Sequence, residues 1–251
     1  MGKLIKEEND IKKMREAAKI LARIIKKLKK DTKPGVSTYE LDKEAFDLCE
    51  KNNVKQGFLN YSGYPATGCF GVNDTVVHGI PSKDEVLNEG DIISIDMGVI
   101  LDGYYSDMAV TIGVGEVADN ALKLMNATRD CLYAAIKQAH EGKNIGDLGN
   151  AIETIAELSG FSVVRQMVGH GIGRQLHQEP QIPGFGNPGE GMALKKGMTI
   201  AIEAIINEGS EKIEFLDDGW TTKTKDGKLS ALFEHTVLVG KNKAEILTNL
   251  G

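Results

Sequence analysis

The chain of 251 residues is long enough for one large domain or two small ones with a sizeable core. Its 41% hydrophobic and 26% charged residues are ordinary for a globular protein, and its net charge of −6 argues against nucleic acid as the main ligand. Cys49, Cys69 and Cys131 are widely spaced and form no CxxC motif, which favours a reducing compartment over a disulfide framework. The N-terminal sequence does not resemble a signal peptide, and no run approaches the roughly 20 apolar residues of a membrane span. We therefore expect a soluble cytoplasmic protein.

The first two predicted helices follow from apolar residues that recur at helical spacing. In "NDIKKMREAAKILARIIKKLKK" apolar side chains return every three or four residues, so we expect a long amphipathic helix capped by Asn9 or Asp10. Ser37 and Glu40 then form a capping-box pattern, which opens a second helix through about Glu50.

Two more helices and a series of strands follow along the chain. We predict a third helix over residues 120–140, closed by Gly142 after His140, and a fourth from about Ile145 to Leu158. Apolar, β-branched runs predict strands in "GCFGVNDTVVHGI", "DIISIDMGVI", "YYSDMAVTIGVG", "FSVVRQMVGH", "GMTIAIEAIINEG" and "LSALFEHTVLVG".

Two Asp-Gly pairs lie between strand candidates, the usual signal of a hairpin. They are Asp102-Gly103 and Asp226-Gly227. The order of helices and strands hints at a duplicated half, although the two halves share little sequence. The pattern as a whole predicts one α+β domain with an antiparallel sheet.

Four acidic residues interrupt apolar strands, where an unpaired charge is costly. They are Asp96 in "IISIDMGVI", Asp107 in "YYSDMAVTI", Glu203 in "TIAIEAII" and Glu234 in "ALFEHTVLV". One interpretation is that each acid pairs with a Lys or Arg at a sheet edge. These strands carry no basic residue nearby, so we favour a bound metal ion, because buried like charges need a cation.

The first hairpin brings two of these acids together. If Asp102-Gly103 is a two-residue loop, Gly98 pairs with Asp107, and Asp96 lies on the same face as Asp107. The two acids are then diagonal neighbours, roughly 7 to 8 Å apart at the backbone. Carboxylates at that spacing can converge on one cation, and without a cation their repulsion would raise a pKa.

Histidines offer further ligands. His170 and His177 lie in the Gly-rich segment "VGHGIGRQLHQEP", where small neighbours let an ion approach the backbone closely. One of the two can bind metal while the other faces a substrate, and the segment lacks the GK[ST] ending of a phosphate loop. His78 in "NDTVVHGIP" is another candidate. We assign no role to His140, at a predicted helix end, or to His235, which points away from the acid that precedes it.

Two Asp, two Glu and one His make an oxygen-rich set of five ligands. Bridging carboxylates in such a set suit two divalent ions, Co, Mn, Fe or Zn, rather than a structural zinc held by cysteines. In two-metal hydrolases the ions lie roughly 3.5 to 4 Å apart. A hydroxide bridging the metals would be the nucleophile, and a Glu beside it could accept a proton. The residues alone therefore predict a dinuclear metallohydrolase.

The same residues and the sequence segments around them resemble those of the type I methionine aminopeptidases. The likeness runs from "IKKMREA" to "EILT" and includes "VNDTVVHGIP", "GDIISIDMGV", "DGYYSDMAVTIGVG", "GFSVVRQMVGHGIGRQLHQEP" and "DGWTTKTKDGKLSALFEHTVLV". It implies a pita-bread fold, with an antiparallel sheet backed by helices in two pseudo-symmetric halves, and a single catalytic metallopeptidase domain over residues 1–251. The implied reaction is removal of the initiator methionine from nascent proteins whose second residue is small.

The resemblance also implies a role for each site residue. Glu203 would be both metal ligand and general base, and His78 and His177 would contact the scissile amide and stabilise the tetrahedral intermediate. The implied metal ligands are Asp96, Asp107, His170, Glu203 and Glu234. The implied pocket for the methionine side chain is lined by Phe58, Tyr61, Tyr64, Cys69, Leu176 and Trp220. Aromatic walls and a cysteine sulfur suit a flexible thioether.

The sequence departs from the family pattern at one position beside the proposed site. Ala204 follows Glu203 where the family usually has proline, which could loosen the backbone that carries the base. The nearest rivals are aminopeptidase P and prolidase, which normally carry an additional N-terminal domain, and the type II enzymes, for whose helical insertion the second half has no room. A metal-free binding module would have lost ligands, and all five are present. We expect a monomer that acts on methionyl peptides and nascent chains, with possible ribosome contact through "IKKLKKDTK", and no membrane partner.

Overall fold

The computed structural model describes residues 4–250. Among these residues, no helix is both long and apolar enough to cross a membrane. The helices are α1 (Glu8–Asp31), α2 (Thr38–Lys51), α3 (Asp119–Gln138) and α4 (Ile145–Leu158), with a short 3-10 helix at Tyr61–Gly63. The strands are β1 (Lys55–Gln56), β2 (Gly68–Val72), β3 (Thr75–Val77), β4 (Ile92–Leu101), β5 (Tyr104–Gly113), β6 (Ser162–Val163), β7 (Gly169–Gly171), β8 (Gln178–Ile182), β9 (Thr199–Asn207), β10 (Ile213–Phe215), β11 (Thr222–Thr224), β12 (Ser230–Leu238) and β13 (Glu245–Ile246).

All four predicted helices form, with corrections at two of their ends. The N-cap of α1 is Glu7, not Asn9 or Asp10, and the Glu7 backbone N–H donates to the Asp10 carboxylate one turn further on. The chain leaves α3 at Ala139, whose φ of −78° and ψ of 62° are not helical, so His140 lies beyond the helix end. The capping box that opens α2 and the bounds of α4 are confirmed.

A large sheet forms the centre of the molecule. Its main path runs β1-β4-β5-β12-β9-β7-β8, with β2 on β4, β6 on β9 and β13 on β12. The β4–β5 hairpin has the predicted register, in which Leu101 pairs with Tyr104 and Gly98 with Asp107. Asp102 and Gly103 both have positive φ, 51° and 77°, as the tightest hairpin turns require.

Two strand predictions are wrong. Asp226-Gly227 lies in a turn, but no hairpin forms there, because β11 pairs with β10 and β3 in a separate three-stranded sheet while β12 enters the large sheet. The run "FSVVRQMVGH" is strand only at β6 and β7, and the segment between them is irregular. Apolar composition alone did not distinguish this second run from a continuous strand.

In each half of the large sheet, one helix packs against two neighbouring long strands. In the first half α1 packs against β4 and β5, and in the second half α3 packs against β9 and β12. Alternate residues of a strand point to opposite faces, so the apolar neighbours of each strand acid enter the cores under the helices. The acids themselves are left on the other face, near the seam where β5 and β12 join the halves.

Candidate metal centre and adjoining pocket

Strand register brings the four acids together on one face of the sheet. Asp96 of β4 and Glu234 of β12 both pair with Ala109, which lies between them on β5. Glu203 of β9 pairs directly with Glu234. Asp107 lies two residues before Ala109 and therefore shares its face. Four neighbouring strands thus contribute one carboxylate each.

His170 enters the same cluster from β7. It pairs with Ala201, two residues from Glu203, and its Nε2 atom lies 3.6 Å from Glu203 Oε1 and 3.8 Å from Asp107 Oδ2. One ligand atom each from Asp107, His170 and Glu234 lies within 4.8 Å of the other two. The structure therefore brings all five predicted metal ligands together.

The tautomer of His170 suits a ligand. Its Nδ1 atom lies 3.0 Å from the Gly171 carbonyl oxygen, which can only accept, so Nδ1 carries the hydrogen. The lone pair of Nε2 then faces the carboxylates. Burial, with His177 as a second cause, lowers the pKa of His170 to about 3, so the ring is neutral.

The carboxylates lack protein partners for their charge. Asp96 Oδ1 and Glu234 Oε1 are buried without a hydrogen bond, and within residues 4–250 no Lys or Arg forms an ion pair with any of the four acids. Pairing with basic residues at a sheet edge is therefore wrong. Burial first, and then the neighbouring carboxylates, raises the pKa values of Asp96, Glu203 and Glu234 well above their usual range. Burial alone raises the pKa of Asp107 to about 7. Divalent cations would relieve this cost, so the residues fit a metal site.

A cavity of about 280 Å³ opens beside the acids. It is lined by all the pocket residues that the sequence predicts, together with Ser62 and Val77, which sequence reasoning missed. Ser62 has a φ of 50° in the short 3-10 turn; the Ser62-Gly63 dipeptide is a turn signal, but it does not predict that the turn lines a cavity. Val77 lies directly before His78 at the end of a buried strand, and it gave no signal beyond an ordinary core position.

Away from the four carboxylates, the walls of this cavity are aromatic and uncharged. Tyr64 and Trp220 meet edge to face with ring centroids 5.1 Å apart. The Tyr64 hydroxyl lies 3.1 Å from the Gly68 carbonyl oxygen and 3.0 Å from that of Gly79, and burial raises the pKa of Tyr64 far above its usual value. Burial and then the charge of Asp96 raise the pKa of the Cys69 thiol, so Cys69 is a neutral wall residue.

His78 and His177 both line the cavity. The His78 ring lies 6.1 Å from Trp220, and burial, with His177 as the second cause, lowers the pKa of His78 to about 4. The His177 ring lies 4.4 Å from His170, and its Nδ1 atom is 3.0 Å from the Tyr61 hydroxyl oxygen. Burial lowers the pKa of His177 as well. Both rings are therefore neutral hydrogen-bonding groups near neutral pH.

The alanine after Glu203 does not disturb the strand. Ala204 pairs with Phe233 in a ladder that runs without a break along β9 and β12, and its side chain is buried in the core. The loosening expected for this position is not seen.

Known proteins match this chain along nearly its whole length. The model of metallopeptidase family M24 matches residues 12–241. The methionine aminopeptidase of Clostridium perfringens (strain 13 / Type A) is 45% identical over 245 residues, which cover 98% of each protein. The crystal structure of methionine aminopeptidase from Thermotoga maritima has a TM-score of 0.96 at 43% identity and 98% coverage of both chains. Prolidase from Pyrococcus furiosus has a TM-score of 0.80 at 21% identity, with 98% of this chain and 65% of that chain covered.

Proposed function

This chain belongs to metallopeptidase family M24. On that basis we propose the role that each of its site residues has in removing an N-terminal methionine. The chain is a metal-dependent aminopeptidase with the α+β pita-bread fold, as predicted, and it releases methionine from the N-terminus of peptides. The proposal rests on two features of the structure that lie next to each other, the carboxylate cluster and the aromatic cavity. Four carboxylates without counter-charges, two of them buried and two half-buried, line one end of an aromatic cavity that is open to a side chain.

The five ligands support a pair of divalent ions. Four carboxylates and one imidazole form a set rich in bridging oxygens, which suits Co, Mn, Fe or Zn. When bound, such ions polarise a scissile carbonyl and lower the pKa of water, which makes it a nucleophile at neutral pH. The proposed ligands are Asp96, Asp107, His170, Glu203 and Glu234.

Glu203 is the proposed general base. Its carboxyl lines the cavity, with Oε1 3.6 Å from His170 Nε2, so it is placed to take up a proton from a water molecule bound among the proposed ligands. The same carboxyl can return the proton to the leaving amine, as general acid–base catalysis requires.

His78 and His177 are the proposed contacts to the scissile amide. Both are neutral, and each can donate one N–H to an oxygen that gains negative charge as the carbonyl carbon becomes tetrahedral. If the Tyr61 hydroxyl donates to His177 Nδ1, the hydrogen of His177 resides on Nε2, the atom free to face the substrate.

The cavity is the proposed site of the methionine side chain. Tyr64 and Trp220 offer aromatic edges and faces to a thioether, and Cys69 adds a polarisable sulfur. With Phe58, Tyr61 and Leu176 they form the uncharged part of the cavity lining, and this part favours methionine over charged side chains. The restriction to a small second residue, the nascent-chain substrate and the monomeric state stay predictions from the family resemblance. So do the single catalytic domain and the ribosome contact. In the Lys-rich end of α1, Lys27 already pairs with Asp31 and Glu44.

The test is release of free methionine from a Met-Gly-Met peptide in metal-depleted buffer, and then with Mn, Fe, Co or Zn added. A Leu-Gly-Met peptide and an Xaa-Pro peptide serve as controls. We expect metal-dependent cleavage of the methionyl peptide alone. Cleavage of the Xaa-Pro peptide instead would place the activity with the prolidases, and activity in the absence of metal would contradict the proposed role of the carboxylates.

A further inference from the structure

The two strands that join the halves of the molecule separate at the proposed metal centre. β5 and β12 share only the register pairs Ala109 with Glu234 and Met108 with His235. By contrast, β4 pairs with β5, and β9 with β12, along their whole lengths. The strands β5 and β12 therefore stop pairing on either side of these two residue pairs, close to the carboxylates of Asp107 and Glu234.

Two buried threonine side chains bridge this opening. Thr236 Oγ1 on β12 accepts from the Asp107 backbone N–H at 2.9 Å and donates to the Asp107 carbonyl oxygen at 2.8 Å. Thr111 Oγ1 on β5 accepts from the Leu232 backbone N–H and donates to the Leu232 carbonyl oxygen, both at 2.8 Å. Each hydroxyl therefore satisfies the N–H and the C=O of one residue on the opposite strand.

The bridges keep the strands apart without loss of hydrogen bonds. Each hydroxyl makes both of its backbone hydrogen bonds with one residue of the opposite strand, and its own backbone lies a side-chain length behind it, so the strands are further apart than in a sheet ladder. Asp107 and Leu232 thus keep their buried backbone groups paired, while the space between the strands can accommodate the acidic side chains.

The two bridges differ in what they hold. Thr236 holds both backbone groups of Asp107, a proposed ligand, and the Asp107 carboxylate is tied to the same stretch of backbone because its Oδ1 accepts from the Met108 N–H at 3.0 Å. Thr111 holds Leu232, an apolar residue, and its hydroxyl also contacts Ser94 Oγ at 2.8 Å. The Thr236 backbone N–H is in turn held by Thr248 Oγ1 at 3.1 Å.

We propose that Thr236 is a positioning residue of the metal centre: its hydroxyl sets the backbone of Asp107 and thereby the direction in which the carboxylate points. Thr111 makes the equivalent bridge in the fold without holding a ligand. This inference rests on the metal site of the proposed function.

The experiment compares Thr236→Val with Thr111→Val in the full chain. Each substitution keeps the shape of the side chain and removes two backbone hydrogen bonds, and Thr111→Val also removes the contact with Ser94, so we expect its metal-free melting temperature to fall at least as far as that of Thr236→Val. Calorimetric titration with Mn²⁺ after chelator treatment then measures metal affinity directly. We expect Thr236→Val to bind Mn²⁺ about 10- to 100-fold more weakly, the range found when a residue that orients a ligand is lost. Thr111→Val should stay within about threefold of the wild type, and Thr236→Ser should restore the affinity because it keeps the hydroxyl.

The outcomes separate this inference from the proposed function. A wild type that binds Mn²⁺ and a Thr236→Val variant of equal affinity would overturn the positioning role and leave the metal site intact. Equal weakening in both valine variants would also overturn it, since the effect would then belong to the seam in general. A wild type that binds neither Mn²⁺ nor Zn²⁺ would overturn the proposed function and this inference with it. If Thr236→Val does not fold, Thr236→Cys and Thr111→Cys carry the same comparison, with a thiol as a weak donor in place of the hydroxyl.

Discussion

Replacing Asp107 with asparagine should remove a pH-dependent loss of stability from the metal-free protein. The Asp107 side chain is only 4% exposed, and burial raises the pKa of its carboxyl from 3.8 to about 7. Asparagine has nearly the same shape and can accept the Met108 hydrogen bond, but it has no proton to lose. The comparison of the two proteins therefore removes the ionisation of Asp107, together with the charge that raises the pKa values of Asp96, Glu203 and Glu234.

The direction and size of the effect follow from linkage. Because the folded-state pKa lies above the unfolded value, the folded protein keeps a proton that the unfolded chain releases. The contribution of Asp107 is fully present below about pH 4 and is lost as the pH rises to about 7. A shift of about three pH units, at roughly 1.4 kcal/mol each, corresponds to about 4 kcal/mol of unfolding free energy.

Urea unfolding of the wild type and Asp107→Asn in the presence of a chelator measures this difference. Between about pH 4 and 7 the stability of the variant relative to the wild type should rise by about 4 kcal/mol. An exposed substitution, Asp84→Asn, should follow the wild type at every pH. Parallel profiles for wild type and Asp107→Asn would refute the reasoning, since the buried carboxyl would then carry no uncompensated charge. Saturating Mn²⁺ should abolish the wild-type loss, because the cation stabilises the ionised form.

Three further substitutions test the pocket, the histidine contact and the core. Tyr61→Phe, which removes the hydrogen bond to His177, should lower kcat about tenfold with little change in KM or in melting temperature, measured on Met-Gly-Met. Trp220→Ala should raise KM for that peptide about tenfold or more while Mn²⁺ affinity by calorimetry is unchanged, because an aromatic wall is lost and no ligand moves. Leu21→Ala, at a fully buried position of α1, should lower the unfolding free energy by about 2–5 kcal/mol in urea, with kcat unaltered; a loss of kcat at full folding would contradict its assignment to the core alone.

The sequence predicts the local parts of this molecule well. Apolar spacing locates α1, and the Ser37–Glu40 capping box marks the start of α2, because both signals act within a few residues of chain. The same holds for one part of the site. A two-residue Asp-Gly turn leaves only one register for β4 and β5, so the diagonal placement of Asp96 and Asp107 follows from the sequence alone.

Other local signals did not determine where the chain goes next. Asp226-Gly227 has the same turn residues as Asp102-Gly103, yet the strands on either side of it enter different sheets. The α1 cap and the α3 end also differ by a few residues from their predicted positions. At α1 several polar residues could serve as the cap, and at α3 the backbone leaves helical geometry at Ala139, which apolar spacing does not predict.

The remaining ligands depended on contacts between distant parts of the chain. Glu203, Glu234 and His170 stood out in the sequence as charges or imidazoles in apolar or Gly-rich settings, but no local rule says that their strands are neighbours. The family resemblance implied the full set, and the pairing of β5 with β12 and of β9 with β7 brings it together.

The sequence by itself determined which residues are unfavourable in an apolar core, because the free-energy cost of burying a charge depends on residue type and immediate neighbours. Only the tertiary structure decided what surrounds them. The oxygens of Asp96 and Glu234 are left without partners by the way the strands pack. The hydrogen bonds between Tyr61 and His177 and between Thr236 and Asp107 join atoms that are far apart along the chain. Such contacts form only when the two halves of the sheet meet along β5 and β12, and they set the geometry in which the buried charges can act.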